Sequence, residues 1–197
     1  MRGIATTLLF AGILFFSFTS SLAAYSKTLS PESIQMALAY GKSRRGQLLV
    51  ERGHPNYVLL GVSSGAYIET PWLNLAFAAQ EAAAKYQTLS QADVQRTLRQ
   101  STGKLTVGAW IIESREDFWR NPHSIIQQGT VVIQPILKRG AFVNVVSCDT
   151  RPCRVSALFS FTFPDDQMNV SKEATLVIIL LGGHKEFRAT LNLTAMR

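Results

Sequence analysis

The chain has 197 residues, a formal net charge of +7, 47% hydrophobic residues and 17% charged ones. Soluble domains usually carry about 25% charged residues, so the basic excess sits on a sparsely charged surface and is a weak pointer to partners. It favours acidic polysaccharide, a lipid headgroup surface or an envelope protein; nucleic acid is not expected.

The first 24 residues read as a secretory signal peptide. Arg2 is followed by a largely apolar stretch over residues 4–18 and then by Ser20, Ser21, Leu22, Ala23 and Ala24, with cleavage expected after Ala23 or Ala24. A membrane span is the weaker reading, because crossing takes about 20 apolar residues and this shorter core contains Thr6, Thr7 and Ser17. No Cys follows the core, which argues against a lipid anchor, and no later segment is long and apolar enough to span. The mature chain is expected to be soluble and exported, periplasmic or secreted. It keeps about 170 residues, the size of one domain with its own core.

Three helices are expected in residues 25–104. Ser30 caps the first, Pro31 suits its opening turn, and Glu32 complements its positive end. Ile34, Ala37 and Leu38 follow at helical spacing, Lys42, Arg44 and Arg45 favour the C-terminal end, and Gly46 stops it. Residues 57–69 read as two short strands around a Ser63-Ser64-Gly65 turn. Thr70 and Pro71 open a helix over residues 72–87, whose Ala76, Ala79, Ala82 and Ala83 call for close packing on another surface. Ser90 and Asp93 form a capping box for a shorter helix ending near Ser101.

After Gly103 the period changes to two. Leu105, Val107, Ala109 and Ile111 alternate along one strand, and Val131, Ile133 and Leu137 mark an edge strand, since Pro135 cannot donate to a ladder. Lys138, Arg139 and Gly140 read as a tight turn into a strand with Ala141, Val143 and Val145. Val155, Ala157, Phe159, Phe161 and Phe163 form a dry face and Ser156, Ser160 and Thr162 a wet one. Gly182-Gly183 is a hairpin signal between the apolar run at 174–181 and a last strand carrying Phe187, Ala189, Leu191 and Leu193. The fold class is therefore α+β: N-terminal helices packed on a mostly antiparallel β-sandwich of immunoglobulin-like size, formed by residues 105–197 and packed with residues 25–104 as one domain. The family spacing of Cys, Trp and Cys is absent.

Cys148 and Cys153 are the only cysteines. Export places them in an oxidising compartment, where a pair forms a disulfide by default. Zinc would need a second ligand pair, and redox chemistry usually uses Cys-x-x-Cys at a helix start. Closing so short a loop stabilises by about 2 kcal/mol, which makes a local staple.

The segment 114–124 concentrates the polar and aromatic candidates for ligand binding: Arg115, Trp119, Arg120 and His123, joined by Lys138 and Arg139 from the basic turn. A loop Trp beside Arg can stack on a sugar or hold an anionic group; alternatively Phe118 and Trp119 fold back to plug the core. Gly61-Val62-Ser63-Ser64-Gly65 matches G-x-S-x-G, and Asp165 and His184 follow in hydrolase order, so a serine hydrolase using Ser63 is the enzymatic alternative. That motif works at a sharp strand-to-helix turn, whereas residues 66–69 read as another strand. His54, His123 and His184 lack partners at ligand spacing, and Asp165, Asp166 and Asn169 lack the closing Glu of a calcium loop. Asn169 and Asn192 head glycosylation sequons that matter only if exposed in a eukaryotic host. No cofactor motif is present. The favoured reading is an exported, noncatalytic binding or scaffold module contacting anionic or carbohydrate surfaces, with a subunit pairing through an edge strand as a further alternative.

Overall fold

A computed structural model describes residues 25–114, 117–149, 152–180 and 185–196, apart from the side chain of Ala141. The described residues form three helices and nine strands. The helices begin where their caps dictate. In α1 (Pro31–Ser43) the Ser30 Oγ accepts from Ser33 N at 3.1 Å, and in α2 (Pro71–Ala84) the Thr70 Oγ1 accepts from Leu73 N at 3.2 Å. For α3 (Gln91–Ser101) both halves of the Ser90–Asp93 capping box are present. Helix α2 ends before residue 87 because Lys85 leaves the helix and Tyr86 turns left-handed at φ 57°.

The alanine face of α2 packs where expected. Trp72, Leu75, Ala76 and Ala79 are buried, and α1 lies so close that a Cβ on Gly41 would stand 2.0 Å from the Ala76 carbonyl oxygen. Trp72, Leu75 and Ala76 form a small core of their own with Ala37, Leu49 and Val94.

The strands are β1 (Tyr57–Leu59), β2 (Gly65–Glu69), β3 (Lys104–Glu113), β4 (His123–Gln128), β5 (Val131–Ile133), β6 (Leu137–Ser147), β7 (Arg154–Pro164), β8 (Ala174–Leu180) and β9 (Lys185–Leu191). They make two antiparallel sheets, β1-β2-β3-β7-β6 and β5-β4-β8-β9. The period-two positions face each other across the sandwich: Val107, Ile111, Phe159 and Phe161 from one sheet against Ile126, Leu176, Ile178 and Leu191 from the other, all fully buried. None of the described helices is long and apolar enough to cross a membrane.

Four features depart from the sequence reading. The sandwich begins before residue 105, because the hairpin of β1 and β2 pairs with β3 and extends the five-stranded sheet. Strand β4 was hidden because its inward positions include polar side chains. Ser124 Oγ donates to Val177 O at 3.0 Å, and buried Gln128 donates to Asn169 O at 2.9 Å while accepting from Asn169 N. Residues 131–137 do not make one strand. The chain leaves one sheet after Ile133 and joins the other at Leu137, so Val131 and Leu137 are exposed and only Ile133 is buried. Lastly, Lys138, Arg139 and Gly140 lie inside β6, where a register shift between Arg139 and Phe142 replaces the expected turn. Gly182-Gly183 lies outside the described residues, although β8 and β9 pair from Leu180 opposite Lys185.

Cys148 and Cys153 form a disulfide with 4.3 Å between their Cα atoms. It closes the connection between β6 and β7, just beyond the pair Ser147 and Arg154. The described chain starts at a tether: Tyr25 N donates to Leu193 O at 3.0 Å, and its hydroxyl donates to Asp165 Oδ2 at 3.0 Å. Burial, reinforced by the Asp165 charge, pushes the Tyr25 phenol up so that it stays protonated. Lys27 Nζ donates to Asp165 O at 2.6 Å.

Candidate functional site

The structure separates the residues that the sequence grouped. Ser63 is exposed in the connection from β1 to β2, with its Oγ 3.5 Å from Arg154 Nη2 at the start of β7. Asp165 follows the other end of β7, buried at 2% exposure. At about 3.3 Å per residue the two stand roughly 35 Å apart along that strand. Ser63 also sits between two strands, without the helix that an exposed nucleophile needs behind it. The neighbouring Ser64 is structural, its Oγ accepting from Ile112 N at 3.1 Å. His184, the third member of that set, lies outside the described residues.

The other candidates scatter similarly. His54 Nδ1 accepts from Asn56 N at 3.1 Å and His123 is exposed at the start of β4. Among the described residues no three His, Cys, Asp or Glu side chains gather as metal ligands would. Asn169 and Asn192 are both exposed, and their Oδ1 atoms accept from the hydroxyls of Ser171 and Thr194.

Around Trp119 the chain makes a tight excursion fixed by two left-handed residues, Asp117 at φ 67° and Asn121 at φ 57°, residue types that tolerate this conformation. Phe118 points inward, 1% exposed and edge-on to Phe159 at 6.5 Å, so it plugs the sandwich. Trp119 is half-buried against the same core. Arg120 is exposed beside it, and together with Asp117, Cys153 and Val155 they border a recess of ≈ 440 Å³. Arg115 lies outside the described residues.

Lys138 and Arg139 do not act as a pair. Adjacent residues of a strand point to opposite faces, and here Lys138 lies opposite Phe161, a core position, while Arg139 lies opposite Ser160 on the outer face. Lys138 Nζ reaches under the Trp119 loop, donating to Asn121 Oδ1 at 2.8 Å and Pro122 O at 3.1 Å. Arg139 goes to a different place, a groove that the sequence did not reveal.

That groove, of ≈ 890 Å³, runs between helices α2 and α3 and the outer face of β2, β3, β7 and β6. Its floor is the wet face of the sheet: Glu69, Thr106, Ser160 and Thr162, with the two threonine hydroxyls 3.2 Å apart. Its helical wall presents Asn74 and Phe77 from α2, and Asn74 Nδ2 donates to Ser101 Oγ of α3 at 3.2 Å. Phe77 meets Tyr67 edge-on at 6.3 Å, which holds the wall off the floor. Tyr67 can lie flat there because Gly108, directly opposite, has no Cβ to meet its ring.

Glu69 is the groove's unusual group. Burial pushes its carboxyl up from the ordinary value, and the Tyr67 hydroxyl bond and the Arg139 charge offset only part of that shift. The Tyr67 phenol is itself raised, first by burial and then by the Glu69 charge. A desolvated acid with a specific charge partner in a cleft is the pattern of a functional site. Among the described residues lining the groove there is no histidine or cysteine. The groove offers hydrogen-bond donors and acceptors, a carboxyl, an aromatic wall, and the cations Arg139 and Lys104. That equipment suits holding a polyhydroxylated ligand.

Compared with known proteins, the chain matches no family model, no curated protein and no solved structure.

Proposed function

We propose that this protein is an exported, noncatalytic binding module whose groove between helices and sheet holds an acidic polysaccharide of the cell envelope or extracellular space. The observation that carries the reading is the groove's lining: Glu69, Asn74 and Thr162 as hydrogen-bond partners for ring hydroxyls, Phe77 as an apolar wall, and Arg139 with Lys104 for carboxylate groups. Export is supported by the apolar segment at 4–18, the disulfide, and a net charge of +7 suited to anionic surfaces.

Affinity electrophoresis or calorimetry with a polyuronate, beside a neutral glucan of equal length, tests it. Binding should favour the polyuronate and weaken with salt, as screening over a Debye length of about 10 Å at 0.1 M requires. Arg139→Ala should weaken binding, while Trp119→Ala and Lys138→Ala should leave it unchanged. Loss with the Trp119 and Lys138 variants alone moves the contact surface to that loop, and binding indifferent to all three removes the proposal. Retained reactivity of Ser63 toward a fluorophosphonate, abolished in Ser63→Ala, overturns the noncatalytic part.

A further inference from the structure

Glu69 and Arg139 stand on one floor. Residues paired directly across antiparallel strands share a face, and the row Glu69, Thr106, Thr162, Leu137 crosses β2, β3, β7 and β6 in register, with Arg139 two residues beyond Leu137 on the same side of β6. At about 4.8 Å between strands the row spans roughly 14 Å. The Arg139 charge nevertheless acts on the Glu69 carboxyl, so the guanidinium reaches back toward β2 across the floor that carries the Thr106 and Thr162 hydroxyls. The other titratable or charged groups facing Glu69 are few. Tyr67, on the same strand, is hydrogen-bonded to it, Lys104 lies at the start of β3, and Glu81 on α2 is exposed and ion-paired with Lys85 at 2.6 Å. Among the described residues lining the groove, α3 and β7 present only uncharged side chains.

Taking the ligand to be the acidic polysaccharide proposed above, we infer that the groove binds it together with a proton: one ligand carboxylate pairs with Arg139, and Glu69 beside it takes the proton and donates a hydrogen bond to that carboxylate. Two carboxylates sharing one cation in a cleft cannot both stay ionised, and one of them is pushed up until it holds a proton. Glu69 is the one that gives way. Burial already pushes its carboxyl up, whereas the ligand carboxylate enters from water and keeps the guanidinium as its partner. Glu81 does not compete for the proton, because Lys85 holds its carboxyl down. The proton comes from solvent and sits on the Glu69 oxygen that faces the ligand. Its second oxygen remains an acceptor for the Tyr67 hydroxyl and for a ring hydroxyl of the ligand. Glu69 therefore sets the pH at which the groove accepts an acid: ionised it repels the ligand, protonated it holds it.

Calorimetry of polyuronate binding in two buffers of different ionisation enthalpy, at constant ionic strength and across pH, reads the proton directly. The wild-type protein should take up protons from solution on binding. Its affinity should fall by up to about tenfold per pH unit above the pKa of free Glu69, the slope of one linked proton. Glu69→Gln should bind at high pH as tightly as the wild type does at low pH, with a flat profile. Binding without proton uptake, or a Glu69→Gln variant that keeps the wild-type slope, overturns the inference and leaves the polysaccharide reading intact. No binding at any pH removes both. The proton count is measured on wild-type protein, so it decides the matter even if Glu69→Gln fails to fold.

Discussion

Gly41→Ala sets two known effects against each other. Within a helix, alanine is favoured over glycine by about 1 kcal/mol, so propensity alone makes this substitution stabilising. Packing opposes it: the new Cβ would stand 2.0 Å from the Ala76 carbonyl oxygen and 2.9 Å from the Ala79 Cβ. The obstacle is backbone, which no rotamer change can move aside, so α1 and α2 must separate by roughly 1 Å along a buried seam. Overpacking of this kind costs about 1–3 kcal/mol, occasionally more, and a backbone clash belongs at or above the upper end. The net expectation is a loss of about 2 kcal/mol, which for a chain of this size lowers Tm by roughly 4–8 °C. Thermal and urea unfolding followed by circular dichroism measure it. The exposed Ala39 in the same helix supplies the scale, since Ala39→Gly should cost about 1 kcal/mol from propensity alone. If Gly41→Ala is neutral or stabilising, the helices do not approach as described and the reasoning fails.

Phe118→Ala should cost about 3–5 kcal/mol in urea unfolding, as removal of a buried ring does, and Trp119→Ala distinctly less; the reverse order would mean that Trp119 is the plug. Tyr25→Phe withdraws a donor from buried Asp165 and should cost about 1–3 kcal/mol, whereas an unchanged urea midpoint would show that the hydroxyl does not matter. Glu69 has a folded pKa raised above its unfolded value, so its contribution to stability is present at low pH and is lost as pH rises through the folded pKa. Glu69→Gln should therefore flatten the stability profile in that window, and Arg139→Ala should move the Glu69 carboxyl further up in a carbon-13 titration; a downward move would rule out the proposed charge partner.

The parts of this molecule that sequence made legible are those governed by short-range rules. Ser30, Thr70 and Ser90 cap the three helices because capping involves atoms three residues apart. The dry face of β7 could be read from Phe159, Phe161 and Phe163 because one side of a strand repeats every second residue. Strand β4 escaped because Ser124 and Gln128 are satisfied by backbone atoms about 50 and 40 residues away, and such pairing leaves no local pattern. The groove escaped for a related reason. Ser160 and Thr162 were read as a wet face, but the fold places α2 and α3 over them, burying Thr162, and brings Glu69 and Arg139 to the same floor. Lys138 and Arg139 looked like one basic site because they are adjacent; strand geometry sends them to opposite sides.

The tether at Tyr25 bears on the order in which the chain can fold. Its hydroxyl reaches a partner 140 residues along the chain and its amide a still more distant one, Leu193. Neither bond can form until most of the polypeptide has been made, which at about 5–20 residues per second takes roughly ten to forty seconds. Contacts of such long sequence separation are also slow to close. Until then the segment that begins at Tyr25 stays untied from the sandwich, whatever helices and hairpins have already formed behind it.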